Sequence, residues 1–230
     1  MRLNAYLARA GIASRRGADE LIKAGRVTVN GAAGQLNTFV EAADDVRVDG
    51  RLVGKQALRY VLLNKPRSTI TTARDPEGRP TVVDLVGGTI RVVPVGRLDR
   101  DTSGVLLLTN DGALAHRLAH PRYRVEKVYV ADVQGEVEEE TLRALAEGVQ
   151  LEDGITAPAR ARLLSSGRVE LTLHEGRNRQ VRRMLEAVGH PVHSLRRSRY
   201  AGLTTGRLQR GQFRELTREE VARLRRLVGL

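Results

Sequence analysis

The sequence contains no cysteine and no tryptophan, and only 3% of its residues are aromatic. The absence of cysteine excludes disulfide frameworks, zinc knuckles and cysteine nucleophiles together. The shortage of aromatic side chains argues against nucleic-acid binding through rows of base-stacking residues. No stretch approaches the roughly 18 consecutive apolar residues that a membrane helix needs, and the opening segment MRLNAYLARAG has no apolar signal core. We therefore expect a cytoplasmic protein that does not engage membranes.

Positive charge is abundant and unevenly placed. The 230-residue chain carries a net charge of +12 with a sequence pI near 11.0. Residues 1–60 contribute +4, residues 61–173 contribute −1 and residues 174–230 contribute +9. This balance indicates a polyanionic partner, either nucleic acid or acidic lipid. No basic helix with large apolar residues opposite stands out, so nucleic acid is the favoured partner.

Residues 1–50 form a small module in the sequence pattern. Apolar residues at helical spacing end at Gly11, and Ser14 is a suitable N-cap for a second helix over residues 15–24. The segment RVTVNG then alternates like a strand and ends in an Asn-Gly turn. Residues 51–58 are predicted to be a linker, and residues 59–230 a second domain.

The second domain mixes strands with helices. Candidate strands include RYVLLNKP, TIRVVPV, GVLLLTNDG, EKVYVADVQG and PVHSLRRSRYAGL, with a hairpin that turns at residues 165–167. Candidate helices cover residues 113–119, EEETLRALAEGV, residues 178–188 and a last helix with Thr217 as its N-cap. This order predicts an α+β fold in which helices flank one mixed, largely antiparallel sheet.

The chemistry is concentrated in the stretch GRLDRDTSGVLLLT. It places Asp99 beside Leu98 and ahead of an apolar strand, where water is limited and a carboxylate must be paired or have its pKa raised. An arginine from the basic helix 178–188 is a suitable partner that would keep it ionised. Asp99 is alternatively a simple turn residue. A D-x-D metal pair with Asp101 lacks a third ligand at useful spacing.

The first module resembles the RNA-binding module of ribosomal small-subunit protein S-four. The matching stretch is RLNAYLARAGIASRRGADELIKAGRVTVNG, and the match covers nearly all of residues 2–50. In that family a helix-loop-helix face lies on RNA phosphates, which suits the anion preference of a helix N-terminus. The alternative is a solvated basic helix. The residues expected to contact RNA are Arg2, Arg15, Arg16, Lys23 and Arg26.

The rest of the chain resembles the RsuA/RluB/RluE/RluF family of pseudouridine synthases, on the motifs GRLDRDTSGVLLLT, EKVY and EGRNRQVRRMLEAVGHPV. The resemblance implies isomerisation of uridine to pseudouridine in ribosomal RNA by a monomeric enzyme without a cofactor or metal. It implies that Asp99 is the nucleophile and Arg182 its ionic partner, that Tyr129 stacks on the target uracil, and that Val181 lines the base pocket.

The roles of several residues, the RNA target and the class of function have alternatives. Arg97 is expected to hold the flipped RNA backbone, and Tyr129 has a core residue as its alternative role. Arg177, Arg179 and Arg183 are expected to contact RNA, although some arginines of this helix are alternatively solvated charge. The motifs are closer to RluB members, which act on large-subunit RNA, than to RsuA members, which act on the small subunit. A non-catalytic ribosome-assembly factor is the alternative class.

Salt dependence tests the RNA-binding assignment of the first module. Because phosphate contacts release counterions, the affinity for RNA should fall with a log–log slope of about −0.7 per contact for single strands. Deleting residues 1–50 should flatten that slope and weaken binding, as measured by fluorescence anisotropy at several salt concentrations. An unchanged slope would contradict the assignment.

Overall fold

We describe the fold from a computed structural model, which covers residues 1–54, 56–73 and 75–230. The chain forms two compact units. The first comprises Met1–Arg59, Gly88–Arg91 and Asn110–Gly112, and the second comprises Tyr60–Gly87, Val92–Thr109 and Ala113–Leu230. The predicted linker, residues 51–58, includes Lys55, which lies outside the described residues. None of the helices in the described ranges is long and apolar enough to cross a membrane.

The first unit contains two helices and four short strands. They are α1 (Leu3–Arg9), α2 (Arg15–Lys23), β1 (Val27–Val29), β2 (Ala32–Ala33), β3 (Val46–Val48) and β4 (Arg51–Leu52). The Ser14 hydroxyl accepts a hydrogen bond from the Gly17 amide, which caps α2 as the sequence predicts. Asn30 and Gly31 have φ angles of 50° and 83°, so the predicted Asn-Gly turn joins β1 to β2.

The second unit contains the other helices and strands that the structure describes. The helices are α3 (Val82–Val86), α4 (Gly112–Ala119, which starts at the boundary of the first unit), α5 (Glu139–Glu147), α6 (Gln180–Ala187) and α7 (Arg218–Leu227). The strands are β5 (Tyr60–Lys65), β6 (Val93–Pro94), β7 (Thr102–Thr109), β8 (Lys127–Val133), β9 (Gln150–Leu151), β10 (Gly154–Ile155), β11 (Arg160–Ser165), β12 (Arg168–Leu173), β13 (Val192–Tyr200), β14 (Leu203–Thr204) and β15 (Phe213–Glu215).

One mixed sheet dominates the second unit. Its strand order is β11-β12-β8-β13-β7-β5-β15, with β14 paired to β13 and β6 paired to β7. In this sheet β13 and β7 run parallel, and the other pairs are antiparallel. The predicted α+β fold with a largely antiparallel sheet and flanking helices is therefore confirmed.

Every residue of β7 is buried because helices cover both faces of the sheet at this strand. Val105 and Leu107 pack in one apolar cluster with side chains of α4 and α7. Leu106 and Leu108 point to the opposite face and pack in a second cluster with α3. The apolar run VLLL is thus the rigid element from which the segment carrying Asp99 departs.

A row of laterally paired residues crosses the centre of the sheet. Lys65 of β5 pairs with Gly104 of β7, Gly104 with Arg197 of β13, Arg197 with Tyr129 of β8, and Tyr129 with Leu171 of β12. Residues directly opposite on adjacent strands project to the same face. The row therefore places a lysine, an arginine and a tyrosine on one face.

Three boundaries differ from the sequence-based expectation. The segment TIRVVPV forms a strand only at Val93–Pro94, and β7 begins at Thr102, two residues before the predicted strand GVLLLTNDG. The basic helix expected over residues 178–188 begins at Gln180, after Arg179 with a φ angle of 48°. At the last helix, the Thr217 and Glu220 capping box is confirmed.

Replacing Gly104 with alanine should destabilise the protein by at least about 2 kcal/mol, because its φ of 107° disfavours other residues and an added Cβ would lie 2.2 Å from the Arg197 carbonyl oxygen. Gly112→Ala is the matched control, since nothing lies within 4 Å of its added Cβ. Urea unfolding of both variants measures the difference. Equal midpoints would contradict the expectation.

Candidate active site

A buried lysine, Lys65, donates hydrogen bonds to the backbone of the segment that carries Asp99. Lys65 is 0% exposed, and its Nζ donates hydrogen bonds to the carbonyl oxygens of Asp99 (3.1 Å), Arg100 (3.3 Å) and Thr102 (3.0 Å), and of the adjacent Pro66 (3.1 Å). Four carbonyl oxygens gathered on one ammonium group fix the backbone on both sides of the Asp99 carbonyl.

Two further contacts fix the same segment. The Thr71 hydroxyl donates to the Leu98 carbonyl oxygen at 2.7 Å, and the Leu98 amide lies 3.3 Å from the same hydroxyl oxygen. The Ser68 amide donates to the Arg100 carbonyl oxygen at 2.8 Å. Leu98 itself is buried, as the sequence predicts. Asp99 is therefore presented by a backbone that is bonded at the residue before it, at the residue after it and at its own carbonyl.

A cavity of about 450 Å³ opens beside Asp99. It brings together residues from separate motifs: Arg97 and Asp99 from the RLD segment, Tyr129 from β8, and Val181 from α6. Arg177 and Arg179 also line it. Asp99 is half-buried, and none of the described residues donates a hydrogen bond or forms an ion pair with its carboxylate. A cavity of this size with a carboxylate at its wall fits a small-molecule or nucleobase substrate.

Two lysines at this site have a lowered pKa. Burial lowers the pKa of the Lys65 ammonium to about 8, with Asp101 and Asp99 opposing the shift. Burial also lowers the pKa of Lys127, which lines the cavity, to about 8, and the nearby Arg197 charge lowers it further. These groups surround the Asp99 region with buried positive charge.

Arg182 lies close to Asp99 without a direct ion pair. It is 6% exposed, and its Nη1 donates to the Val192 carbonyl oxygen at 3.3 Å. Its Nε and Nη2 atoms are buried without a hydrogen-bond partner among the described residues. Burial lowers the pKa of Arg182, the Arg179 charge lowers it further, and the charges of Asp101 and Asp99 raise it. The direct Asp99–Arg182 pair stays a prediction, since the two groups interact here through their charges only.

Three cationic side chains of this site escaped the sequence analysis. They are Lys65, Lys127 and Arg197. A signal exists for the first, because a lysine follows Asn64 at the end of the largely apolar and buried strand YVLLNK. A weaker signal exists for Arg197, because it follows Leu195 at a spacing of two in β13 and so shares the buried face. Their role became evident only from the strand register.

Two arginines expected to contact RNA are engaged within the protein. Arg177 donates to the carbonyl oxygens of Gly154 (2.8 Å) and Ile155 (2.5 Å), and Arg183 donates to the Asn178 carbonyl oxygen (3.2 Å). Both also pair with the Asp153 carboxylate. These contacts tie the β9–β10 turn to the start of α6. Arg179 is exposed and lines the cavity, so it is better placed for a phosphate.

The basic residues of the first unit differ in the same way. Arg26 pairs with Asp49 at 2.5 Å, and Lys23 pairs with Glu20 at 3.1 Å. Arg15 donates to the Asn4 side-chain oxygen at 3.4 Å. A shallow pocket is lined by Arg2, Arg16 and Lys23 together with two carboxylates. The RNA contacts of this unit stay predictions.

The described ranges contain no cluster of three or more histidine, cysteine, aspartate or glutamate side chains that could hold a metal ion. Asp99 and Asp101 therefore lack, within the described ranges, the further ligands of the metal pair considered from the sequence.

Comparison with known families shows which family the chain belongs to. Residues 59–187 match the RNA pseudouridylate synthase family, and residues 1–46 match the S4 domain. The chain belongs to the RNA pseudouridylate synthase family. The pseudouridine synthase match contains the RLD segment, Tyr129, Val181 and Arg182, whereas the S4 match contains α1 and α2.

Individual relatives agree with the family. The chain is 50% identical to the ribosomal large subunit pseudouridine synthase B of Bacillus subtilis, covering 98% of this chain and 96% of that protein. It is 44% identical to an RNA pseudouridine synthase of Aquifex aeolicus, covering 100% and 96%. A crystal structure of a pseudouridylate synthase superimposes with a TM-score of 0.73 at 31% identity, covering 97% and 99%. This pseudouridine synthase is therefore an isomerase.

The lowered lysine pKa values predict a pH dependence of stability. Between pH 8 and 10 the unfolded lysines stay mostly protonated, with an ordinary pKa of 10.5, while folded Lys65 and Lys127 go from about half protonated to largely neutral. Unfolding then takes up protons, so the free energy of unfolding should rise with pH, by at most about 1.4 kcal/mol per pH unit for each lysine.

Urea unfolding at pH 8, 9 and 10 measures this slope. Lys127→Met should reduce the slope, because it removes one of the two groups. Lys23→Met is the control, because Lys23 is an exposed residue at the end of α2, and it should leave the slope unchanged. A slope that is the same in Lys127→Met and in the unmodified protein would contradict the expectation.

Proposed function

We propose that this pseudouridine synthase isomerises uridine in large-subunit ribosomal RNA, with Asp99 as the nucleophile. One observation carries the proposal: Asp99, Tyr129 and Val181 come from three distant segments and line the same cavity. The large-subunit target is supported by the names of relatives, including the pseudouridine synthase B proteins of Bacillus subtilis and Pseudomonas aeruginosa, the latter 40% identical over 100% of this chain and 63% of that protein. Action on ribosomal RNA is consistent with a cytoplasmic location.

The reaction breaks the glycosidic bond from nitrogen one of uracil, rotates the base and joins carbon five to the sugar, after which carbon five loses its proton. Asp99 acts either on the anomeric carbon of the sugar or as a base at its second carbon. Both routes need an ionised carboxylate held at a fixed place. The bonds from Lys65 and Thr71 to the flanking carbonyl oxygens supply that placement.

The surroundings of Asp99 include buried cations. Burial lowers the pKa of both Lys65 and Arg182, and the charges of Asp101 and Asp99 raise it against that lowering. In this proposal Arg182 moves into direct contact with Asp99 when RNA fills the cavity. Its Nε and Nη2 atoms, which are buried without a partner among the residues that the structure describes, are available for such a contact.

The target nucleotide leaves its stack to reach the cavity, which costs a few kcal/mol if it begins in a duplex. Tyr129 offers its ring to the everted base and Val181 contacts it from α6. Arg97 and Arg179 are exposed at the cavity wall, where they suit the phosphates on either side of the target.

The S4 domain is assigned to RNA binding away from the reacting nucleotide. Its proposed contacts are Arg2, Arg15, Arg16, Lys23 and Arg26, although Arg26 is held by Asp49. We place the domain boundary in residues 51–58, as the sequence suggests, and we propose that the enzyme acts as a monomer. A purely RNA-binding assembly role has no use for a fixed carboxylate in a cavity.

Asp99→Asn should abolish catalysis while RNA is still bound, because the amide cannot act as a nucleophile or base. Tritium release from carbon five of labelled uridine measures catalysis, and a filter-binding assay measures affinity. The exposed neighbour Asp101→Asn is the matched control and should keep activity within a few-fold. Release of label by Asp99→Asn at the unmodified rate would refute the assignment.

Mapping identifies the target. In a strain that lacks the gene, carbodiimide-blocked reverse transcription should lose one stop in large-subunit ribosomal RNA. Loss of a stop in small-subunit RNA would instead support the alternative target, and no lost stop in either RNA would support the assembly factor.

A further inference from the structure

Arg197 is a buried cation that the proposed chemistry does not use. It is 2% exposed and is among the largest fully buried side chains of the protein, yet it lines the cavity that also contains Asp99. Its neighbour Arg196 is exposed. The strand register places Arg197 directly beside Tyr129 on the same face of the sheet.

The position of its guanidinium group is fixed by two contacts. Nε donates to the Val105 carbonyl oxygen at 2.8 Å, and the central carbon lies 4.5 Å from the centre of the Tyr200 ring. Tyr200 is itself anchored, because its hydroxyl donates to the Leu118 carbonyl oxygen at 2.9 Å. The plane of the guanidinium is therefore set before any substrate arrives.

Most donors of this group are unused. Nε is the one nitrogen of Arg197 that has a hydrogen-bond partner in the described part of the chain, and Nη2 is buried without one. A buried charged donor without an acceptor is costly, so such groups point to a ligand or a functional strain. The cost is increased here, because Arg197 lies close enough to Lys65 and Lys127 to lower the pKa of each.

No carboxylate within 4 Å balances Arg197 among the described residues, so the missing acceptor is one that substrate brings. A phosphate is poorly matched, because the exposed cavity residues Arg97 and Arg179 meet the RNA backbone before it can reach a buried strand. A base that is inserted into the cavity reaches deeper than its own phosphates do.

We propose that Arg197 binds a carbonyl oxygen of the everted uracil and thereby selects uracil, an inference that rests on the proposed function of this cavity. A guanidinium has donors and no acceptor. Uracil offers two carbonyl oxygens, and cytosine replaces one of them with an amino group that can only donate. A fixed donor facing that position therefore rejects cytosine, since the buried groups would remain unpaired. Tyr129 holds the ring of the base while Arg197 holds its edge.

The test is a double-mutant cycle in which one change is made in the enzyme and the other in the substrate base. The RNA is a synthetic large-subunit fragment that carries the mapped uridine, prepared with uridine, 2-thiouridine or 4-thiouridine at that position. Sulfur is a weaker acceptor than oxygen, so the thio substitution weakens the bond from one chosen carbonyl position. The enzymes are the unmodified protein, Arg197→Lys, Arg197→Gln and the control Arg196→Lys, and the readout is the single-turnover rate constant.

Arg197→Gln should reduce the rate with uridine by about 10- to 100-fold, because its shorter, neutral side chain removes the charged hydrogen bond. 4-Thiouridine should slow the unmodified protein and Arg196→Lys, but slow Arg197→Gln by a clearly smaller factor. Coupling at 2-thiouridine alone would overturn the selection of uracil, because cytosine has the same oxygen at that position. Arg197→Lys keeps a charged donor on a side chain of similar length and should show intermediate coupling, and it replaces Arg197→Gln in the cycle should that variant not fold.

Thermal unfolding of each variant separates structural damage from lost binding, because damage alone slows all three substrates by the same factor. Equal factors for all three substrates in both Arg197 variants would overturn the inference while leaving the proposed function intact. A lack of tritium release by the unmodified protein on every ribosomal RNA would instead overturn the proposed function itself.

Discussion

The placement of Asp99 depends on one buried ammonium group. Lys65 ends a largely apolar strand, and its Nζ donates hydrogen bonds to four carbonyl oxygens, including those of Asp99, Arg100 and Thr102. Without this cation, carbonyl oxygens from the segment that precedes β7 would face a buried region with fewer donors, and the segment would have little reason to keep one conformation. The cost of burying a lysine is thus offset by a fixed backbone at Asp99.

The strand register brings Lys65 together with side chains from other strands. Lys65, Gly104, Arg197 and Tyr129 lie opposite one another on four successive strands, so their shared face is determined by hydrogen bonding between backbones. Gly104 contributes by having no side chain, because the Arg197 carbonyl oxygen lies where a Cβ would be. The rigidity of the sheet therefore sets the distances between a lysine, an arginine and an aromatic ring that are far apart in sequence.

Much of the fold could be predicted from local patterns. The Ser14 cap, the Asn30–Gly31 turn and the Thr217–Glu220 box are read from a few adjacent residues, and all three are present. The RLD segment and Val181, which the sequence singles out because each belongs to a continuous motif, line one cavity, and their roles stay predictions. Arg197 and Lys65 were missed because their importance comes from pairing across strands that the sequence does not align. The resemblance implies a direct Asp99–Arg182 contact. The structure shows no such ion pair among the described residues, but it does show that Arg182 Nε and Nη2 are buried there without a hydrogen-bond partner.

The contacts of Arg177 and Arg183 with Asp153 bear on how this protein meets a polyanion. An arginine already neutralised by an internal carboxylate projects little field into solution, and Arg26 is in the same situation with Asp49. The net charge of +12 is therefore larger than the positive charge that is free to attract a polyanion. Among the described residues, Arg97 and Arg179 have no such carboxylate neighbour, so under the proposed function the polymer is drawn toward the mouth of the cavity rather than spread over the whole basic surface.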